Sequence, residues 1–226
     1  MAVNGFLEGG DLFLKEIQTM RIIAGAARGI QLMVQEEGEE LRPTEDRVKE
    51  SLFSTLGDLT GASVLDLFSG TGALGLEALS RGAAKVVMVE RDPRHAEVIQ
   101  DNLGRVRQAI VSYGNVPGET QILVTDVAHI AEQLTTQCFS VILADPPYHP
   151  DACEYGARQL LLDERWSHYC SDQTLLALEH ATDVRDLPWS PRSHWRFLRK
   201  RSFGIRTVSY AKLASSTQGD GEEEFV

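Results

Sequence analysis

The stretch Val64-Leu65-Asp66-Leu67-Phe68-Ser69-Gly70-Thr71-Gly72-Ala73-Leu74-Gly75 sets the fold. Ser63–Phe68 is a short apolar run of strand character. It meets a turn carrying Gly70, Gly72 and Gly75, and an apolar helical pattern follows from about Ala73 to Arg81. Strand, glycine turn and helix in that order open a βαβ unit. Such units build a mostly parallel sheet with helices on both faces.

The same alternation continues downstream. Lys85–Glu90 is a predicted strand, and the next helix runs from about Pro93 to Val106, with its proline suited to a first turn. Gln121–Thr125 and Ser140–Ala144 are strands separated by a short helical stretch, and Leu175–Glu179 is a fifth strand. Trp195 to Leu213, broken at Gly204, predicts a closing hairpin. Upstream, the pattern from Met20 to Val34 with Gly25 and Gly29 suggests a small β-hairpin. Thr44 is placed as the N-cap of a helix carrying Val48, Leu52, Phe53 and Leu56. The expected layout is a flexible extension over 1–19, a hairpin and helix over 20–60, the main α/β domain over 61–213 and an acidic, disordered tail over 214–226.

A chain of 226 residues suffices for one full-size α/β domain with little left over. It contains no apolar run of membrane-spanning length and no secretory signal pattern. Cys138, Cys153 and Cys170 form no CxxC pair, which suits a reducing compartment, and no Cys/His cluster has ligand spacing, so no metal is expected. The net charge of −11 argues against nucleic acid as an average, but the charge is unevenly spread. Asp220, Glu222, Glu223 and Glu224 crowd the C-terminus. Between Trp189 and Gly219 stand Arg192, Arg196, Arg199, Lys200, Arg201, Arg206 and Lys212 with no acid. Arg21, Arg28, Arg42, Arg47 and Lys49 form a second basic set. Either set could face a phosphate backbone or simply be a solvated surface.

Gly70-x-Gly72-x-x-Gly75 fits more than one ligand, because glycines at such a turn let the backbone approach a bound group closely. A nicotinamide dinucleotide is one reading, and Glu90 at the end of the next strand would grip a ribose in either case. Asp66 separates the readings. A carboxylate inside the strand before the turn would repel a pyrophosphate, but it would attract the ammonium of a ligand ending in an amino acid, as S-adenosylmethionine does.

The fourth strand ends in Asp145-Pro146-Pro147-Tyr148. Hydride transfer has no use for such a turn, although a proline turn with an aspartate cap could also be purely structural. Two prolines fix the backbone and remove two N–H donors, leaving carbonyls free to accept. A carboxylate plus a rigid carbonyl offers two acceptors to the two hydrogens of an amino group. The lone pair of a base's exocyclic amine is delocalised into the ring and is a poor nucleophile. Accepting both hydrogens favours a pyramidal nitrogen, and Asp145 stabilises the positive charge that grows there. Tyr148 supplies a flat face for an extruded base.

Four blocks together are similar to the small-subunit ribosomal RNA guanine-N2 methyltransferases of the RsmD type. They are Arg21-Ile22-Ile23-Ala24-Gly25 with Arg28-Gly29, Leu41-Arg42-Pro43-Thr44 with Asp46-Arg47-Val48, Val64 through Gly82, and Asp145-Pro146-Pro147-Tyr148. The resemblance runs from about Met20 to Leu213. The glycine turn and the DPPY turn are shared with DNA adenine-N6 enzymes, and the two N-terminal blocks narrow the match. The resemblance implies a Rossmann-like class I fold whose seven-stranded, mostly parallel sheet has an antiparallel last strand. It implies that Asp66, Ser69, Gly70 and Gly72 line the methionine end of S-adenosylmethionine and that Glu90 holds the ribose hydroxyls. Asp126 would bond the adenine amino group, with Val127 as a backbone partner, and Asp126 would also suit a helix N-cap. Arg42 and Thr44 would lie near the cofactor or the RNA; by charge rather than by resemblance, Arg199, Lys200 and Arg201 of the basic stretch are candidate RNA contacts. The implied enzyme is a cytoplasmic monomer without membrane contact, acting on 16S ribosomal RNA, free or in an assembling small-subunit particle. A DNA adenine-N6 methyltransferase would need a region for reading duplex sequence, and no insertion of that size exists. A non-catalytic RNA-binding assembly factor would not need both turns intact.

Overall fold

In the computed structural model the described residues are 20–34, 44–134, 138–148, 154–184 and 186–214. The expected extension over 1–19, the acidic tail from 215 onward and Arg42 lie outside them. In chain order the elements are α1 (Thr44–Leu56), β1 (Ser63–Leu67), α2 (Ala73–Ser80), β2 (Lys85–Glu90), α3 (Pro93–Ser112), β3 (Glu119–Val124), β4 (Phe139–Ala144), α4 (Ala157–Leu162), β5 (Cys170–Ala181), β6 (Trp195–Phe203) and β7 (Arg206–Leu213). Short 3-10 turns cover Val127–Glu132 and Glu164–His168. No helix among the described residues is long and apolar enough to cross a membrane.

The strands form one sheet in the order β3-β2-β1-β4-β5-β7-β6. All pairs from β3 to β5 are parallel, whereas β7 runs antiparallel to both its neighbours. Side chains alternate between two cores, as the period of a strand requires. Val64, Val86, Met88, Val141, Leu143, Ala177 and Tyr210 pack under α1, α2 and α3. Leu65, Leu67, Val87, Val89, Ile142, Ala144, Leu176 and Leu178 pack on the other face against α4, Trp166 and Trp195. The central strands are buried on both faces, which is why they read as continuous apolar runs.

Several boundaries differ from the sequence reading, each for a physical reason. Phe68 is not in β1: it takes a left-handed backbone with φ 62°, so the chain leaves the strand one residue early. α3 continues to Ser112, because Gly104 is tolerated inside it and Ile110 is buried; Gly114, not Val106, marks the stop. β5 begins at Cys170, its first half masked in sequence by the polar Ser171, Asp172 and Gln173. α4, with buried Leu160 and Leu161, carried too short an apolar signal to be read. Thr44 opens α1 as its first residue. The N-terminal hairpin is reduced to one antiparallel bridge, Arg21 to Gln31. The N–H groups of Ile23 and Ala24 go instead to the Glu77 carboxylate, at 2.7 and 3.0 Å.

That carboxylate is fully buried in α2 and also meets Arg81 at 2.8 Å and Lys49 at 3.8 Å. Ser80, one turn further on, donates to the Ala24 carbonyl at 2.7 Å and accepts from the Ala27 N–H at 2.9 Å. Asn102 of α3 grips the Met33 backbone from both sides and also donates to the Thr71 carbonyl. The segment 20–34 is thereby fixed across α2 and α3, and Met20 and Val34 reach the cleft described next.

Candidate active site

The chain steps outward from β1 to β2 and β3, then returns to β4 on the other side of β1. The crevice at the carboxyl ends of β1 and β4 is therefore the switch point where open α/β sheets bind ligands. Leu67 pairs with Ala144, so the glycine turn and the DPPY turn leave the sheet side by side. Both open into one cavity of about 830 Å³. Asp66, Ser69, Gly70, Glu90, Asp126, Val127, Asp145, Pro146, Pro147 and Tyr148 all line it; Gly72 does not, and caps α2 behind the turn.

Asp66 is almost fully buried, and its Oδ2 accepts the Gly75 N–H at 2.8 Å. Gly75 must be glycine for this to happen: a Cβ there would lie 2.7 Å from Met88 Cγ and 3.0 Å from Asp66 Oδ2. Burial pushes the Asp66 carboxyl up to about 7, against the pull of the Gly75 and Ser69 hydrogen bonds and with a further push from Glu90. No ion pair to Asp66 occurs among the described residues. Glu90 takes the Gly70 N–H on Oε2 and the Asp92 N–H on Oε1, both at 2.8 Å. Each oxygen keeps a lone pair, enough for two hydroxyls.

Two assigned residues carry structural duties as well. Ser69 Oγ donates to the Asp66 carbonyl at 2.9 Å and accepts from the Val89 N–H at 3.0 Å, locking the turn to β2. Asp126 caps the 3-10 turn by accepting the Ala128 N–H at 2.8 Å. The cap role expected for it is present, and the same residue lines the cavity with acceptor capacity beyond that one bond.

Pro146 is buried and Pro147 exposed, so the DPPY turn crosses from the sheet edge to the surface. The Tyr148 hydroxyl donates to Glu179 Oε1 at 2.5 Å, and Arg206 Nη1 reaches the same oxygen at 3.2 Å. Burial and the Glu179 carboxylate hold the Tyr148 phenol well above its ordinary pKa, so it stays a neutral donor. Arg206 therefore separates from the basic stretch with which the sequence grouped it and belongs to the cleft. Arg199, Lys200 and Arg201 lie on β6, the exposed edge strand, with Arg199 5.6 Å from the Tyr210 ring centre and Arg201 bonded to Ser51 at 3.2 Å.

The sequence reading missed Glu179, Arg206, Phe68 and Tyr155 as cavity residues. Phe68 stacks on Tyr155 with ring centres 6.5 Å apart, and Tyr155 is anchored through its hydroxyl to Asp163 at 2.7 Å. An aromatic residue in the left-handed region costs on the order of 1–2 kcal/mol, strain typical of a turn held for function. No local sequence signal marks these four, because each gains its role from a partner in a distant segment.

A family model described as "Conserved hypothetical protein 95" matches residues 20–212. The ribosomal RNA small subunit methyltransferase D of Haemophilus influenzae is 35% identical over 205 residues, which is 87% of this chain and 97% of that one. The chain belongs to this methyltransferase family. Its counterpart from Escherichia coli K12 is 31% identical over 206 residues, covering 91% of this chain and 94% of the relative. The Escherichia coli protein yhhF, solved as a candidate methyltransferase, superimposes with a TM-score of 0.67 at 29% identity, over 87% of this chain and 98% of its own. The seven-stranded frame described above is the one on which that relative superimposes, and the cavity lies at its switch point, where open α/β sheets bind ligands.

Proposed function

We propose that this protein transfers a methyl group from S-adenosylmethionine to the exocyclic N2 of a guanine in 16S ribosomal RNA. One observation carries the reading: the DPPY acceptor turn opens into the same cavity as the three carboxylates Asp66, Glu90 and Asp126. Those carboxylates fit the cofactor along its length. Asp66, buried and lacking an ion pair among the described residues, suits an ammonium; Glu90 suits ribose hydroxyls; Asp126 and the Val127 backbone suit an adenine edge. The bound cofactor supplies an electrophilic methyl on sulfonium sulfur.

The chain's own residues would then do three things. Asp145 and the carbonyls of the proline turn accept the two amine hydrogens and turn the nitrogen lone pair toward the methyl. As the N–C bond forms and the methyl–sulfur bond breaks, the Asp145 charge balances the positive nitrogen until its surplus proton passes to solvent. Tyr148, its hydroxyl fixed by Glu179, presents a ring face of set orientation to the extruded base. Exposed Arg199, Lys200 and Arg201 offer the RNA backbone positive charge, and on an edge strand they also discourage other chains from adding to the sheet.

The deciding experiment is transfer of labelled methyl to 16S RNA from cells lacking the protein, with nucleoside mass mapping. N2-methylguanine at one site is the expected product. Label appearing on adenine N6, or only in DNA, overturns the reading.

A further inference from the structure

Glu179 lies within the buried second half of β5 and is itself only 5% exposed. β7 returns beside it, so that Arg206 sits diagonally across the pair from Glu179, opposite Ala181. Both of Glu179's hydrogen bonds, from Tyr148 and from Arg206, fall on Oε1. No hydrogen bond from the described residues reaches Oε2. Asp145, Tyr148, Glu179 and Arg206 line the same cavity. A buried carboxylate thus stands beside the amine-accepting turn with one oxygen engaged in holding its neighbours, and a guanidinium follows it.

We infer that Glu179 and Arg206 select guanine by reading the ring edge next to the amine. The inference rests on the methyl-transfer reading above. An amino group to be methylated is flanked by a ring nitrogen, and that nitrogen differs among the bases. In guanine, on the side that leads to O6, it is N1–H, a donor, followed by the O6 acceptor. In adenine and cytosine it is a bare lone pair. The wall offers an acceptor turn at Asp145, an acceptor at Glu179 and a donor at Arg206, complementary to guanine's donor, donor, acceptor order. Adenine or cytosine would set a ring lone pair against a buried carboxylate, and that repulsion is strong away from water. Tyr148 links the two tasks, because the group that holds its ring is the group that reads the base.

The test replaces the guanine that the wild type methylates with 2-aminopurine, which keeps the amine but lacks both N1–H and O6. Single-turnover transfer by the wild type should favour guanine by about tenfold to a hundredfold, the discrimination expected of a good bidentate pair. Glu179→Gln should slow guanine transfer and shrink that preference to a few-fold, since a carboxamide can turn its N–H toward a bare N1. Arg206→Met should slow guanine transfer several-fold more than 2-aminopurine transfer, because only guanine presents O6 to the guanidinium. Undiminished cofactor binding by both variants establishes that they are folded, and if one fails it, the other variant decides. A wild type that accepts 2-aminopurine as readily as guanine overturns the inference while leaving methyl transfer intact. So does an equal loss on both substrates in the folded variants, which is what a merely structural role would give. A wild type inactive on guanine itself overturns the methyl-transfer reading and the inference with it.

Discussion

Tyr148 and Glu179 are joined by a 2.5 Å hydrogen bond that ties the turn after β4 to the end of β5. Motif chemistry alone gives Tyr148 a ring face and no use for its hydroxyl. The bond gives the hydroxyl one: it fixes the ring's tilt against a carboxylate that Arg206 holds from the other side.

Tyr148→Phe keeps the face and loses the anchor. Losing a bond to a charged partner should cost about 1.5 kcal/mol of stability, at the low end because Tyr148 is half-buried. Methyl transfer should fall less than about tenfold, whereas Tyr148→Ala loses the stacking of about 1–3 kcal/mol and should fall further. Thermal unfolding and single-turnover transfer measure the two effects separately. Equal losses in both variants would show that the ring face is not what the base uses.

Gly25 and Gly29 offer a matched pair for the docking of the N-terminal segment. Both have left-handed backbones, at φ +83° and +86°. A Cβ on Gly25 would lie 2.0 Å from the Ser80 carbonyl oxygen, whereas one on Gly29 meets nothing within 4 Å. Gly29→Ala should cost about 1–2 kcal/mol of backbone strain and leave cofactor binding alone. Gly25→Ala should cost more and weaken cofactor binding several-fold, because Met20 and Val34 at the ends of this segment line the cavity. Denaturant unfolding with calorimetric titration of S-adenosylhomocysteine would show the contrast; identical behaviour of the two variants would rule it out.

The parts of the fold legible in sequence were those with local causes. Alternating apolar runs and glycine turns marked β1, α2, β2 and β4, and Asp145 was visible because two prolines follow it. Glu77 was not legible. In Ala73-Leu74-Gly75-Leu76-Glu77-Ala78 it looks like the solvent side of a helix, yet it is fully buried because its partners, the N–H groups of Ile23 and Ala24, lie more than fifty residues away. Glu179 was hidden in the same way. It follows the apolar run Leu175–Leu178, and only the return of β7 and the placement of Tyr148 give it a task.

Reversing Arg199, Lys200 and Arg201 to Glu should weaken RNA binding and flatten its salt dependence, by roughly one unit of slope for each phosphate that is no longer neutralised. Cofactor binding should be unchanged, since none of the three lines the cavity. Filter binding across a salt series reads the slope. If truncation after Gly219 weakens binding while the reversal does nothing, β6 is not the RNA face.

Asp66 predicts a pH dependence of definite sign. Its folded carboxyl is raised to about 7 from an ordinary 3.8, chiefly by burial. An acid raised on folding favours the fold while protonated, so the ligand-free protein should lose stability as pH climbs from about 4 through 7 and level off above. An ammonium ligand selects the ionised form, so affinity should run the opposite way and rise about tenfold from pH 6 to pH 8, with proton release on binding. Calorimetry of S-adenosylmethionine in buffers of different ionisation enthalpy detects that proton. Asp66→Asn should bind weakly with no pH slope; a variant that binds as tightly as the wild type would remove Asp66 from the cofactor site.

Asp145 gives the sharpest separation of charge from hydrogen bonding. Asp145→Ala removes an acceptor and the charge that balances the reacting nitrogen. Loss of one preorganised electrostatic partner is worth about 3–4 kcal/mol, so transfer should fall by at least about 10²–10³ with the cofactor still bound. Asp145→Asn keeps a carbonyl acceptor and loses only the charge, and it should lie between Asp145→Ala and the wild type. The spacing of the three rates then apportions the effect. If Asn sits near Ala, charge balance dominates; if it sits near wild type, orientation of the amine does. Because Asp145 is the first residue beyond β4, adjacent in register to the end of β1, neither change touches the strand core, and thermal stability should move little. Single-turnover transfer under saturating cofactor is the measurement. Normal turnover in Asp145→Ala would remove the Asp145 carboxylate from the chemistry altogether.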